Sequence, residues 1–143
     1  MAIFPPAPAL PGDAMLEVFV YPDATSPPRP LDPANKFSDA RRLEFLGEQF
    51  ARLGYMDVLG QRWRRASAGE LKRKVDDTFA GFVKRVVDTY EWTSQVGLYP
   101  QHFDRDSVEE ALRLFHTYAG AVYVEYGYPA LRAWMAKLVG IVQ

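Results

Sequence analysis

Two glutamates, Glu44 and Glu48, stand four residues apart in RRLEFLGEQF, the segment Arg41–Phe50. On an α-helix this spacing puts both carboxylates on one face, where they repel by roughly 0.2–0.5 kcal/mol unless a cation intervenes. The cation is a metal ion, a basic side chain or, by default, the solvent. The plainest reading is a solvated helix face with Arg41, Arg42 or Arg52 as counter-charge. A second stretch with chemistry is QRWRRASAGELKRK, Gln61–Lys74, which gathers six cations, Arg62, Arg64, Arg65, Lys72, Arg73 and Lys74, around Trp63. It suits an ordinary basic surface at a helix junction as well as a phosphate-binding patch. His116 stands alone in an apolar stretch and reads as a structural histidine, hydrogen-bonded in the core or at an interface. His102 has no evident partner. The series Tyr118, Tyr123, Tyr126 and Tyr128 reads as core and interface packing in preference to a base-stacking platform.

The elements that position these groups are helices. Leu43, Leu46, Phe50 and Leu53 recur with a period near 3.6 and predict a helix over about Ser38–Leu59, with Ser38 as its N-cap. SAGE, Ser67–Glu70, has the spacing of a capping box. It opens a helix whose apolar face runs through Leu71, Val75, Phe79, Phe82, Val86 and Tyr90. Gly97 and Pro100 mark Thr93–Asp106 as a connection. Ser107 and Glu110 form a second capping-box pattern, followed by Leu114, Phe115, Tyr118, Val122 and Tyr123. A break at YGYP, Tyr126–Pro129, precedes a last helix with Leu131, Trp134, Met135, Leu138 and Val139 facing inward. Strand signals are nearly absent, so the expected class is all-α, with four or five main helices.

Ahead of this bundle, residues 1–35 form a Pro-rich arm. Proline at this density favours extended or polyproline II backbone, with one short helix in DAMLEVFVY, Asp13–Tyr21. The rest of the arm is expected to lie along the surface of the helical domain, residues 36–143, or to be partly mobile. The 143 residues, 48% of them hydrophobic, suffice for one core and not for two ordinary domains. With 17 basic and 18 acidic side chains the chain lacks the overall charge of a strong nucleic-acid binder, so any such contact is local. The absence of cysteine excludes disulfides and thiolate metal sites. No apolar run approaches the roughly 18 residues of a membrane span, and the first twelve residues hold four prolines and no Lys or Arg. A soluble intracellular protein of the cytoplasm or nucleus is expected, with mitochondria left open.

RRLEFLGEQF, SAGELKRKV and RLFHTYAGAVYVEYGYPALRAWM, in this order, resemble the catalytic domain of the ribonuclease III family. Leu43–Glu48 is similar to the family's signature helix, Leu-Glu-Phe-Leu-Gly followed by an acid. Tyr118–Gly127 resembles the Gly-Ala-Val/Leu-Tyr-Leu helix that follows the family's second acidic pair. Val20–Asp23 stands where the family has Thr-His-Arg-Ser. The resemblance spans most of the chain and implies a ribonuclease III-like helical fold, as in single-domain fungal members.

It also implies a site. In the family two helices face acidic side chains toward each other and hold Mg²⁺, which activates water for phosphodiester hydrolysis. This chain keeps Glu44, has Glu48 in place of Asp, and has Arg41 in place of a further acid. With Gly120 as the anchor, Arg113 replaces the family's second-helix Asp and His116 its Glu. A guanidinium cannot ligate a cation, and imidazole is a poor Mg²⁺ ligand. The expectation is therefore a metal site turned into a salt bridge, with Arg113 as counter-charge to Glu44 and Glu48, and no cofactor. Mg²⁺ is the alternative, with Glu109 or Glu110 as displaced ligands. The resemblance further implies a dimer joined through the signature helices, with Phe45, Leu46 and Phe50 at the interface, either with itself or with a related active subunit. It places double-stranded RNA near the basic run.

Three functions follow as expectations. The leading one is a catalytically inactive ribonuclease III-fold protein acting in RNA processing as a dimerising, double-stranded-RNA-binding or partner-regulating domain. The alternatives are an active Mg²⁺-dependent double-stranded RNA endonuclease and a structural protein of a ribonucleoprotein such as a mitochondrial ribosome.

Overall fold

A computed structural model describes residues 3–22 and 32–142. Five α-helices follow in order: α1 Gly12–Phe19, α2 Ala40–Arg62, α3 Ala68–Tyr90, α4 Val108–Tyr126 and α5 Tyr128–Val142, with a 3₁₀ turn at Trp92–Gln95. Among the described residues there is no β-strand, only an isolated bridge in which Tyr21 N donates to Gly97 O (2.9 Å) and Gly97 N to Phe19 O (2.8 Å). The class is all-α. None of the described helices is long and apolar enough to cross a membrane.

The caps explain most of the boundaries. Asp39, not Ser38, caps α2: its carboxylate accepts from Arg41 N, while Ser38 Oγ accepts from Asp32 N. The helix therefore starts one residue later than expected and runs on to Arg62. At α3 the predicted capping box is complete, with Ser67 Oγ accepting from Glu70 N and Glu70 reaching back to Ser67 N. At α4 only half of the predicted box forms. Ser107 accepts from Glu110 N, but the Glu110 carboxylate turns inward to other partners. The break at Tyr126–Pro129 shrinks to Gly127 (φ +88°), a conformation that glycine adopts without penalty. Pro129 then sits in the first turn of α5, where its missing N–H costs nothing.

Helix α4 is the axis of the molecule. Every residue from Leu114 to Val122 is buried, because α1, α2, α3 and α5 all pack on it. Its closest neighbour is α2, and two glycines set that distance. A Cβ on Gly47 would fall 1.6 Å from His116 O, and one on Gly120 would fall 1.9 Å from Leu43 O. Each glycine gives up about 1 kcal/mol of helix propensity relative to alanine. In return the two backbones touch, and the faces beside the crossing come within reach of each other.

The Pro-rich arm is more intimately packed than a surface tail. Ala14 and Val18 of α1 are fully buried in the common core. Residues 23–31 of the arm lie outside the described residues.

Candidate functional site

The α2–α4 crossing brings Glu44 beside Arg113 and Glu110. Glu44 is half-buried, and its pKa is raised: loss of solvent pushes it up, Arg113 pulls it down, and the Glu48 and Glu110 charges push it up further. Arg113 is held from its own helix. Its Nε donates to Glu110 Oε1 (2.6 Å) and its Nη2 to Glu110 Oε2 (2.7 Å), a bidentate pair at i,i+3 spacing. The pair is secluded, with the Glu110 side chain 1% and the Arg113 side chain 12% exposed. Tyr99 Oη also donates to Glu110 Oε2, and burial together with that carboxylate raises the Tyr99 pKa. The Tyr21 ring lies 5.0 Å from the Arg113 guanidinium carbon and edge-on to Phe103. Burial works against the Arg113 charge, but Glu110 more than compensates, so the Arg113 pKa stands above its usual value.

The expected salt bridge from Arg113 to Glu44 and Glu48 is thus not formed. Glu110 lies one turn away on the same helix and satisfies the planar fork of the guanidinium from both oxygens. Glu48 is exposed and, among the described residues, neither it nor Glu44 has an ion-pair partner. Arg113 acts on Glu44 through its field instead. Its Nη1 is buried without a hydrogen-bond partner among the described residues.

A divalent cation, as the resemblance implies, does not fit this arrangement. Both oxygens of Glu110 are engaged, Glu109 is exposed, and a permanent positive charge occupies the α4 side opposite Glu44. Among the described residues no three carboxylate, imidazole or thiol side chains are grouped together.

His116 is the core histidine that its apolar surroundings suggested, but it lacks the expected hydrogen bond at Nε2. It is buried, its ring lies parallel to Phe79 at 6.1 Å, and its Nε2 has no hydrogen-bond partner among the described residues. Burial lowers its pKa to about 4, so the imidazole is neutral at pH 7 and part of the core. His102 lies in the exposed loop before α4 with φ +63°.

Away from the crossing, Phe45 is 62% exposed on α2, and Leu53 and Met56 extend an apolar stripe along that helix. Leu46 is half-buried, and Phe50 stacks face to face on Tyr123 at 3.9 Å. Of the six cations in the basic run, Lys74 Nζ sits 4.0 Å over the Trp63 ring and Lys72 pairs with Asp76 (2.7 Å). Arg62, Arg64, Arg65 and Arg73 are exposed at the junction of α2 and α3, with no ion-pair partner among the described residues.

Tyr99 and Tyr21 are the site residues that sequence reasoning did not find. Both lie outside the regular helices and reach α4 only through the fold. Comparison of the chain with protein-family models, with curated proteins and with solved structures finds no match.

Proposed function

We propose that the chain is a ribonuclease III-like helical domain that has exchanged a metal site for an internal ion pair, and that it serves as a dimerising, double-stranded-RNA-binding subunit instead of a nuclease. The observation that carries this reading is the buried Glu110–Arg113 pair beside Glu44. It fills with fixed charge the place where opposed carboxylates would hold a hydrated cation. Three of the site residues are unsuited to a hydrolytic step: His116 is a neutral core side chain, Arg113 cannot accept a proton, and Glu110 is closed off from solvent.

Two surfaces favour the binding role. The stripe of Phe45, Leu53 and Met56 is apolar area that a second subunit would cover. The exposed arginines at the α2–α3 junction offer donors to phosphate oxygens, which confer affinity without reading sequence. An inactive subunit of this kind would shape a duplex-binding groove with itself or with a competent relative.

The test is incubation of the protein with end-labelled duplex RNA in Mg²⁺ and in Mn²⁺, beside the Glu44→Ala/Glu48→Ala variant. Intact RNA that is nonetheless shifted on a native gel is the expected result. Cleavage by the wild type and not by the variant would overturn the reading in favour of an active metal-dependent endonuclease.

A further inference from the structure

The proline-rich arm is bound to the helical bundle much as a peptide is bound to its receptor. In FPPAPALP, residues 4–11, four prolines have φ fixed near −65°, and Phe4, Pro5, Ala7 and Leu10 each precede a proline and are pushed toward extended backbone. Only Ala9 escapes both constraints, so the segment favours polyproline II geometry before it touches anything. Three tyrosine hydroxyls then donate to its carbonyls. Tyr90 Oη donates to Pro5 O (2.6 Å), Tyr118 Oη to Pro8 O (2.5 Å) and Tyr126 Oη to Ala9 O. Pro5 and Pro8 are three residues apart, one polyproline II turn, and present their carbonyls to the same side.

The receiving surface is braced by contacts among its own residues. Trp134 Nε1 donates to Tyr90 Oη (3.1 Å), which orients that hydroxyl toward the arm. Trp92 stacks on Tyr90 at 4.9 Å and on Tyr118 at 4.4 Å, and Phe4 meets Tyr90 edge-on at 4.9 Å. Beneath the arm Trp92, Tyr118 and Trp134 are buried, Tyr90 is half-buried and Tyr126 is exposed, whereas no residue of 3–11 is fully buried, and Ile3, Pro6, Ala9 and Pro11 are exposed. The arm therefore lies against the core through Phe4, Ala7 and Leu10, and the chain is first fully buried at Ala14.

We infer that the groove formed by Tyr90, Trp92, Tyr118, Tyr126 and Trp134 is a recognition site for proline-rich peptides, held by its own arm and open to a proline-rich segment of a partner protein when the arm lifts. Aromatic grooves that hydrogen-bond the carbonyls of a preformed polyproline II ligand are a recurring mode of peptide recognition. The arm marks the register: an aromatic residue followed by prolines whose carbonyls lie three residues apart. Tethering gives the arm an effective concentration of the order of millimolar, so it outcompetes a free ligand until its own contacts are weakened.

The probe is a fluorescent synthetic peptide with the sequence of residues 3–11, added to the full-length chain and followed by anisotropy. The wild type is expected to bind it at least tenfold more weakly than a full-length Phe4→Ala/Pro8→Gly variant whose arm is loosened. Adding Tyr90→Phe and Tyr118→Phe to that variant keeps the rings and is expected to weaken binding at least tenfold. A proline-free scramble is expected not to bind. A loosened variant that keeps its helical circular dichroism and binds no peptide, or binds with indifference to the two hydroxyls, would overturn the inference. Binding of the arm of a second copy in preference to the peptide, seen as arm-exchanged dimers of the loosened variant, would also overturn it. Should the variants fail to fold, trifluoromethyl-phenylalanine at position 4 of the otherwise wild-type chain gives an independent readout. Excess peptide should produce a free-arm ¹⁹F resonance, and a spectrum unchanged at millimolar peptide sinks the idea.

Discussion

Gly47 on α2 and Gly120 on α4 face each other's helices so closely that a Cβ on either would lie within 2 Å of a carbonyl oxygen, that of His116 for Gly47 (1.6 Å) and that of Leu43 for Gly120 (1.9 Å). These contacts are with backbone, which cannot swing aside as a side chain would. Gly47→Ala and Gly120→Ala are therefore each expected to cost about 4 kcal/mol or more, or to prevent folding. In Gly81, mid-way along α3, a Cβ would meet nothing within 4 Å. Gly81→Ala should stabilise by about 0.5–1 kcal/mol through helix propensity and a less flexible unfolded chain. Urea denaturation of the three variants checks the contrast, and equal effects would dismiss the crossing as the cause.

The Glu110–Arg113 pair makes a second prediction. Glu110→Ala leaves a secluded guanidinium without its partner and is expected to cost on the order of 3–5 kcal/mol. Glu110→Leu/Arg113→Met removes both charges and should recover most of that loss, since a matched apolar replacement of a buried pair is often neutral. Tyr99→Phe, which removes one donor to Glu110, should cost about 1 kcal/mol. A thermodynamic cycle over Glu110→Leu, Arg113→Met and their double variant measures the coupling directly.

His116 should give stability a dependence on mild acid. Its pKa in the folded chain is about 4 and in the unfolded chain near the ordinary 6.5. Between these values the unfolded state binds the proton and the folded state does not, so the group destabilises the fold as pH falls from 6.5 toward 4 and adds no further slope below 4. The loss over that window is on the order of 3 kcal/mol. His116→Leu should flatten this part of the pH–stability curve, and because Nε2 is unpartnered it should do so without loss at pH 7. An unchanged slope in the variant would assign the dependence to other groups.

Self-association, if it runs through α2, should depend on Phe45. Phe45→Glu puts a charge at the N-terminal end of the exposed stripe with Leu53 and Met56. Monomer stability should change by less than about 0.5 kcal/mol, as for an ordinary surface position, while dimerisation weakens by tenfold or more, about 1.4 kcal/mol. Sedimentation equilibrium of both proteins separates the two effects.

Binding to duplex RNA should depend on the α2–α3 junction. Arg64→Glu/Arg65→Glu is expected to weaken it by about tenfold or more at low salt and to shallow its salt dependence, because fewer phosphates are then neutralised. Filter binding at several salt concentrations measures both, and a variant that keeps the wild-type affinity and slope would move the RNA contact elsewhere.

The sequence alone determined the helices. Apolar residues at a period of 3.6 and the Ser67–Glu70 box reflect forces acting within one or two turns, and the structure places α3 where they point. The constraint on the arm is equally local, since proline restricts itself and the residue before it. What short-range rules could not decide is which of several competing partners a group takes. Asp39 displaced Ser38 as the cap of α2 because Ser38 was drawn to Asp32 N, a contact that depends on how the preceding turn folds.

The same holds at the candidate site. The three-residue spacing of Glu110 and Arg113 is visible in the sequence, yet Glu44, Glu48 and Glu109 are rival carboxylates, and the spacing does not rank them. Burial ranks them: Glu110 is buried beneath Tyr99 and needs a counter-charge most, whereas Glu48 and Glu109 remain in water. Neither the touching of α2 and α4 at Gly47 and Gly120 nor the seating of residues 4–10 on Tyr90, Tyr118 and Tyr126 is written in any local pattern. Both join residues far apart in the chain, and such contacts exist only once packing has fixed the distance between the elements.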